Sequence, residues 1–315
     1  MSVLLILNEL SLNPVAPNKE IARERVQSFL KTIRAACRAG IKRELRTQEN
    51  FKECLIATGY TWRNWNQDSE VPKEERQYFL GMATRSPYLN GLGENQNESV
   101  GFEFTVNGVR AEGLGIAFIT GGLAVSLLSE ENWDSAGVEV GVSELIDDGT
   151  IREFSKIVPH ASRDVHIDNI HRKWIHDRLA KSVFSGEELW KESSIFFPSL
   201  DFCPAVETQM AQLPKEALAP ILRGLFCLET YCQGWTDGGF NQNSLGCASS
   251  TESKSTKATY GKERTFLCPN GVERVFSYHV KPGQSWRIYY DPDPGPGRMY
   301  IGYVGRHLPT TRHNH

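Results

Sequence analysis

The chain has 315 residues, 40% of them hydrophobic, and a formal net charge of −3, which is enough apolar matter for a globular protein of roughly two domains. Its seven cysteines form an odd set without a C-x-x-C pair, which argues against a disulfide framework and for reduced thiols. The longest uncharged run, 113–129, is 17 residues broken by glycines, short of the ~20 that cross a bilayer, so a cytoplasmic protein without membrane contact is expected.

Charge is spread unevenly. Residues 19–53 carry ten Lys/Arg against five Asp/Glu, 94–153 carry two against twelve, and 264–315 carry seven against three. Two basic ends flank an acidic middle, a pattern that suits a polyanion at the ends or a basic partner or metal ion in between, and that solvation alone also produces.

In chain order, Val3–Leu7 reads as a strand ending at Asn8-Glu9. Asn18 can cap a helix whose apolar positions Ala22, Val26, Phe29, Leu30, Ile33, Ala36 and Cys37 recur at helical spacing up to Gly40. Arg23, Arg34 and Arg38 mark its other face, followed by Lys42, Arg43 and Arg46. Trp62 and Trp65 are expected in the core, and a helix is expected from Val71-Pro72 through Met82. Residues 90–99, rich in Asn and Gly, read as an exposed loop. GFEFTV, RAEGLGIAFI, LAVSLLS and VEVGV, between 101 and 142, read as strands. Glu9, Glu112, Asp134, Asp147 and Asp148 lie at strand or turn ends, where nucleases gather carboxylates around Mg²⁺, and strand-acid-helix is faintly similar to PIN-like nucleases.

Residues 156–235 read as mainly helical. Histidines 160, 166, 171 and 176 sit about five apart, which turns neighbours ~140° from each other on a helix and argues against a shared metal. Residues 233–263 are polar and Gly/Ser/Thr-rich and read as an exposed linker; Asp237 with Glu252 and Lys254 mimics a D…E-x-K nuclease spacing but lacks an apolar strand. The final His313-Asn314-His315 has no zinc-binding context around it.

The C-terminal block is the most legible. Arg264–Cys268, Val272–Val280, Ser285–Tyr290 and Arg298–Val304 are β-rich runs separated by Pro/Gly/Asn breakers, which predicts an antiparallel meander. Alternation places Phe276, Tyr278, Val280, Trp286, Ile288, Tyr290, Met299, Ile301 and Tyr303 on an apolar face, with Trp286, Ile288 and Ile301 buried. Ser277, His279, Lys281, Arg287, Tyr289 and Tyr300 fall on the other, wet face, with Glu273 as its carboxylate. Such a face offers a base, cations for developing phosphorane charge and a proton donor, the groups that metal-independent RNA cleavage uses; a polar face on an antiparallel sheet is equally what solvation requires.

The pattern SYHVK…WRIYY…MYIGYVGRHL resembles the terminal sheet of RelE/HigB-type toxins, ribosome-dependent mRNA interferases of toxin–antitoxin pairs, over roughly the last 50 residues. The block also resembles an uncharacterised bacterial family of mobile-element and defence neighbourhoods. The resemblance implies an RNA face using Lys281, Arg287 and Tyr289; this chain departs from those small basic toxins in its length and its pI of about 6.3.

The expectation is therefore an α+β protein: an N-terminal α/β domain (1–155), a central helical segment (156–232), a polar linker (233–263) and a C-terminal antiparallel meander (264–315). The expected function is a nucleic-acid-acting toxin or phage-defence effector of metal-independent ribonuclease type, with His279, Lys281, Arg287 and Tyr289 catalytic and Lys281, Arg287, Arg298, Arg306 and His307 on the nucleic acid, RNA favoured. No metal or cofactor enters that reading. Two alternatives stand beside it: a non-catalytic subunit that binds nucleic acid, a protein partner or an antitoxin, and a Mg²⁺-dependent nuclease using the N-terminal carboxylates.

Overall fold

The computed structural model describes residues 3–88, 101–146, 149–283 and 285–310. The chain is α+β and forms two compact units that divide between Ile175 and His176. The division expected at 155 falls instead within a strand, Ile151–Ala161, so the stretch from 156 begins in a sheet and not in a helix.

Strands of the first unit are β1 (Leu5–Leu7), β2 (Glu44–Arg46), β3 (Leu55–Ala57), β4 (Tyr60–Thr61), β5 (Ala83–Arg85), β6 (Phe102–Val106), β7 (Val109–Arg110), β8 (Leu123–Val125), β9 (Gly137–Leu145) and β10 (Ile151–Ala161). The main sheet runs β5-β2-β1-β8-β10-β9-β6-β7. Its members from β5 to β10 are parallel, and β9, β6 and β7 continue it antiparallel. The expected first helix forms over Lys19–Arg38, with Asn18 Oδ1 accepting from the Ile21 amide at 2.9 Å and the apolar stripe buried. Its arginines are engaged: Arg23 with Asp68 at 2.8 Å, Arg38 with Asp168 at 3.7 Å, and Arg34 over the Tyr78 ring. Trp62 and Trp65 are fully buried.

The run RAEGLGIAFI is a helix, Glu112–Thr120, and not a strand. It is apolar all round, so it shows no amphipathic period that would separate it from a buried strand. Its glycines are what the packing needs. A Cβ on Gly113 would stand 2.1 Å from the Leu7 carbonyl oxygen, and one on Gly115 2.1 Å from the Phe104 ring. LAVSLLS is a strand only over β8.

The second unit holds helices Gly186–Phe196, Ala205–Ala211 and Lys215–Gly234, and strands β11 (Leu200–Phe202), β12 (Ser249–Thr251), β13 (Thr265–Leu267), β14 (Glu273–Val275), β15 (Tyr278–Val280), β16 (Trp286–Asp291) and β17 (Met299–Arg306). The C-terminal meander is present as antiparallel β15-β16-β17. Parallel β11 extends it at one edge and antiparallel β12 at the other.

Three expectations change here. Val272–Val280 is two strands: β14 pairs with β13 in a separate hairpin, and buried Phe276 sits at the break, its amide on the Arg264 carbonyl at 2.8 Å. Residues 233–263 are not an irregular linker, for they contain β12 and the Lys254–Tyr260 helix with its buried Thr256, and they lead directly into the fully buried Arg264. Cys227 and Cys247 form a disulfide, so the chain does not hold all its thiols reduced; Cys37, Cys54, Cys203, Cys232 and Cys268 are free.

Ile288 and Ile301 are fully buried as expected, whereas Trp286 is only half-buried. Tyr303 leaves the apolar face. The register shifts between Tyr289↔Tyr303 and Tyr290↔Ile301, so Gly302 is an extra residue that reverses the alternation beyond it. A Cβ on Gly302 would meet the Phe266 ring at 2.5 Å, which explains a glycine at this bulge. Among the described residues no helix is long and apolar enough to cross a membrane.

Candidate functional site

Cross-strand register fixes the site. Ser250 of β12 stands opposite His279 of β15, His279 opposite Tyr289 of β16, and Tyr289 opposite Tyr303 of β17, so one row crosses four strands on one face. Two residues along from this row, on the same face, come Lys281 and Arg287. This face was expected to be wet, yet it is largely covered. Phe266 of the β13–β14 hairpin packs on Tyr303 and Tyr289, with ring centroids 6.0 and 6.4 Å away, and Tyr289 is fully buried. His279 and Arg287 are 6% and 9% exposed, and only Lys281 of the four stands in solvent.

The carboxylate of this face is Glu252, just past β12, and not Glu273, which lies in β14. Tyr289 Oη donates to Glu252 Oε1 at 2.5 Å, and Arg264 Nε stands 3.0 Å from the same oxygen. His279 Nδ1 is 3.6 Å from it. The Arg264 guanidinium also donates to the carbonyls of Pro309 at 2.8 Å and Tyr260 at 3.2 Å, which ties the covering segment to the C-terminal strand.

Electrostatics divide the residues into roles. Burial acts to raise the Glu252 carboxyl, but Tyr289, Arg264 and His279 outweigh it and hold Glu252 below the ordinary value. Burial pushes His279 down to about 4; Glu252 pulls it up, and Arg287, Lys281 and His307 push it further down. The ring is therefore neutral at pH 7. Tyr289 is raised by burial and by Glu252, so its proton stays on oxygen.

The residues proposed for nucleic acid separate into a group and an outlier. Lys281, Arg287, Arg306 and His307 gather at one end of the β15–β17 meander: Trp286 pairs with Arg306, Arg287 with Gly305, and the His307 amide donates to Ser285 O at 2.9 Å. The exposed Arg306 guanidinium lies 4.3 Å from the centroid of half-buried Trp286. Arg298 precedes β17 at the opposite end, roughly 25 Å along the strand, and is held in two bonds by Asp201.

Two of the carboxylates singled out in the first unit, Glu9 and Asp134, are held by neighbouring groups. Glu9 accepts from the Glu112 and Gly113 amides at 2.6 and 2.8 Å, capping the Glu112–Thr120 helix, and from Tyr88 Oη at 3.0 Å. Burial raises its carboxyl. Asp134 instead meets Arg163 at 2.7 Å and His166 at 3.5 Å; Asp147 and Asp148 lie outside the described residues, as do 89–100 and His313-Asn314-His315. Among the described residues no group of three His, Cys, Asp or Glu is arranged to hold a metal ion. Of the four spaced histidines, His160 bonds Ser126 Oγ at 2.6 Å, His171 bonds the His160 carbonyl at 2.8 Å, and His176 stacks on Phe226 with centroids 3.9 Å apart.

Ser250 and Arg264 escaped the sequence reading, and Glu252 entered it only beside Asp237 and Lys254, both of which are exposed. Comparison of the chain with protein-family models, curated proteins and solved structures finds no match.

Proposed function

We propose that the second unit binds nucleic acid, RNA above other polyanions, at the end of the meander that carries Lys281, Arg287, Arg306 and His307, as the contact surface of a toxin or defence effector of ribonuclease type. One arrangement supports it: an exposed lysine and an exposed arginine share a strand end with a half-buried tryptophan that the arginine overlies. Cations of this kind track phosphates, and an aromatic ring among them offers a base a stacking surface. Arg298, paired with Asp201 at the far end, takes no part. Tyr289 takes none directly, since its hydroxyl is buried on Glu252.

Fluorescence anisotropy with a labelled single-stranded RNA tests this. Each phosphate contact contributes about 0.7 to the slope of log K against log salt, so Lys281→Ala/Arg306→Ala should lower affinity and reduce the slope by about 1.4. An unchanged slope and affinity in the folded double variant would remove the reading.

A further inference from the structure

Ser250 Oγ lies 3.3 Å from His279 Nε2, directly across the β12–β15 pair. Beyond the ring, Nδ1 is buried without a hydrogen bond and stands 3.6 Å from Glu252 Oε1. Hydroxyl, imidazole and carboxylate thus follow one another in the order that activates a serine: the ring takes the hydroxyl proton, and the carboxylate orients the ring and stabilises its positive charge. Such contacts are commonly long in a resting site and tighten around substrate.

We infer that Ser250 is the nucleophile of a hydrolytic centre with His279 as its base and Glu252 as the carboxylate behind the base, acting on phosphodiesters. The substrate class rests on the nucleic-acid reading above, whereas the nucleophile does not. Ser250 Oγ attacks phosphorus, its proton passes to His279 Nε2, and the bond from phosphorus to the leaving sugar oxygen breaks as that oxygen takes the proton. Water then gives a proton to the same nitrogen and attacks phosphorus, and Ser250 Oγ leaves and recovers the proton. The sum is one water added across one P–O bond. Since the attacking oxygen belongs to the protein, no 2′-hydroxyl is required, and a 2′-deoxy strand is cleaved as well.

A second serine–histidine contact makes the choice instructive. Ser126 and His160 are closer, at 2.6 Å, but both are fully buried, and the other ring nitrogen meets the Ser135 carbonyl at 2.8 Å instead of a carboxylate. Ser250 is half-buried, and Tyr289 and Arg264 fix its carboxylate. The charged and titratable groups facing His279 are Glu252 after β12, Tyr289 and Arg287 on β16, Lys281 after β15 and His307 after β17. Together with burial they leave the ring neutral and able to accept a proton at pH 7.

The full chain treated with a fluorophosphonate, which reports an activated serine without any nucleic acid, should give one adduct on Ser250 by peptide mass spectrometry. The adduct should be absent in Ser250→Ala and slower on the order of 100-fold in His279→Gln, and its rate should rise through about pH 4 and stay level above. Labelled single-stranded RNA and DNA should both be cleaved by the native chain and by neither variant, while Ser250→Ala keeps its RNA affinity. A folded native chain without a Ser250 adduct overturns the nucleophile, as does cleavage confined to strands with a 2′-hydroxyl or surviving in Ser250→Ala. An adduct without cleavage of either strand overturns the substrate class. An adduct without nucleic-acid binding leaves Ser250 in place and removes the binding surface.

Discussion

Arg264→Met is the sharpest perturbation of the cluster that holds the site together. The guanidinium is fully buried, its Nε 3.0 Å from Glu252 Oε1, and the Glu252 side chain is itself only 6% exposed. Removing the cation leaves a buried carboxylate with Tyr289 and a neutral ring as company, and removing one partner of a buried pair costs about 3–5 kcal/mol. It also strips the Pro309 and Tyr260 carbonyls of their donor. For a unit of this size such a loss lowers the melting temperature by roughly 10 °C. Glu252→Gln keeps an acceptor for Tyr289 Oη, and adding it to Arg264→Met should recover part of the loss, with a coupling of at least about 1 kcal/mol between the two sites. The assay is urea unfolding of the four proteins in the double-mutant cycle, read by tryptophan fluorescence. A cost below about 1 kcal/mol for Arg264→Met, or two effects that simply add, would refute the account of Arg264 as the counter-charge of Glu252.

Acid should destabilise both units over a defined window. His160 and His279 are each pushed down to about 4, so between the ordinary histidine value and pH 4 only the unfolded chain takes up their protons, and stability falls as pH falls from about 6.5 to 4, by about 3 kcal/mol per ring. His160→Gln and His279→Gln should each flatten that slope in urea melts; a slope that survives both assigns it elsewhere. Reducing the Cys227–Cys247 bridge, which spans a sequence separation of 20, should cost about 3 kcal/mol and open residues 233–248 to protease, whereas equal resistance with and without dithiothreitol would show that the bridge does not organise this segment.

What the sequence shows of this fold follows from how local each cause is. The Lys19–Arg38 helix and β15-β16-β17 are readable because their stop signals and periods lie within the elements themselves. The Glu112–Thr120 helix is not, since its cap comes from Glu9, a separation of 103 in the chain, and its apolar surface has no polar side to give it a period. Strand β12 is illegible for the same reason. Within Ser249–Thr251 only Thr251 has a strand preference, and the strand's place is set by pairing with Tyr278–Val280 and by the bond between Ser249 Oγ and Tyr290 Oη at 2.8 Å.

The site inherits that difference. Alternation along β15 and β16 is enough to aim His279, Lys281, Arg287 and Tyr289 one way, but it says nothing about what lies over them. The cover decides their chemistry. A wet Tyr289 would be a proton donor to solvent; under Phe266 and against Glu252 it becomes the group that holds a carboxylate in position. A wet His279 would titrate near neutrality, whereas the same burial, with Arg287, Lys281 and His307 beside it, keeps it uncharged. Arg287, Lys281 and His307 thus suppress protonation of the ring, and in the function proposed above the same end of the meander also meets phosphate. On that proposal, a bound phosphate that neutralised Lys281 and Arg287 would relieve the suppression and make His279 a stronger base.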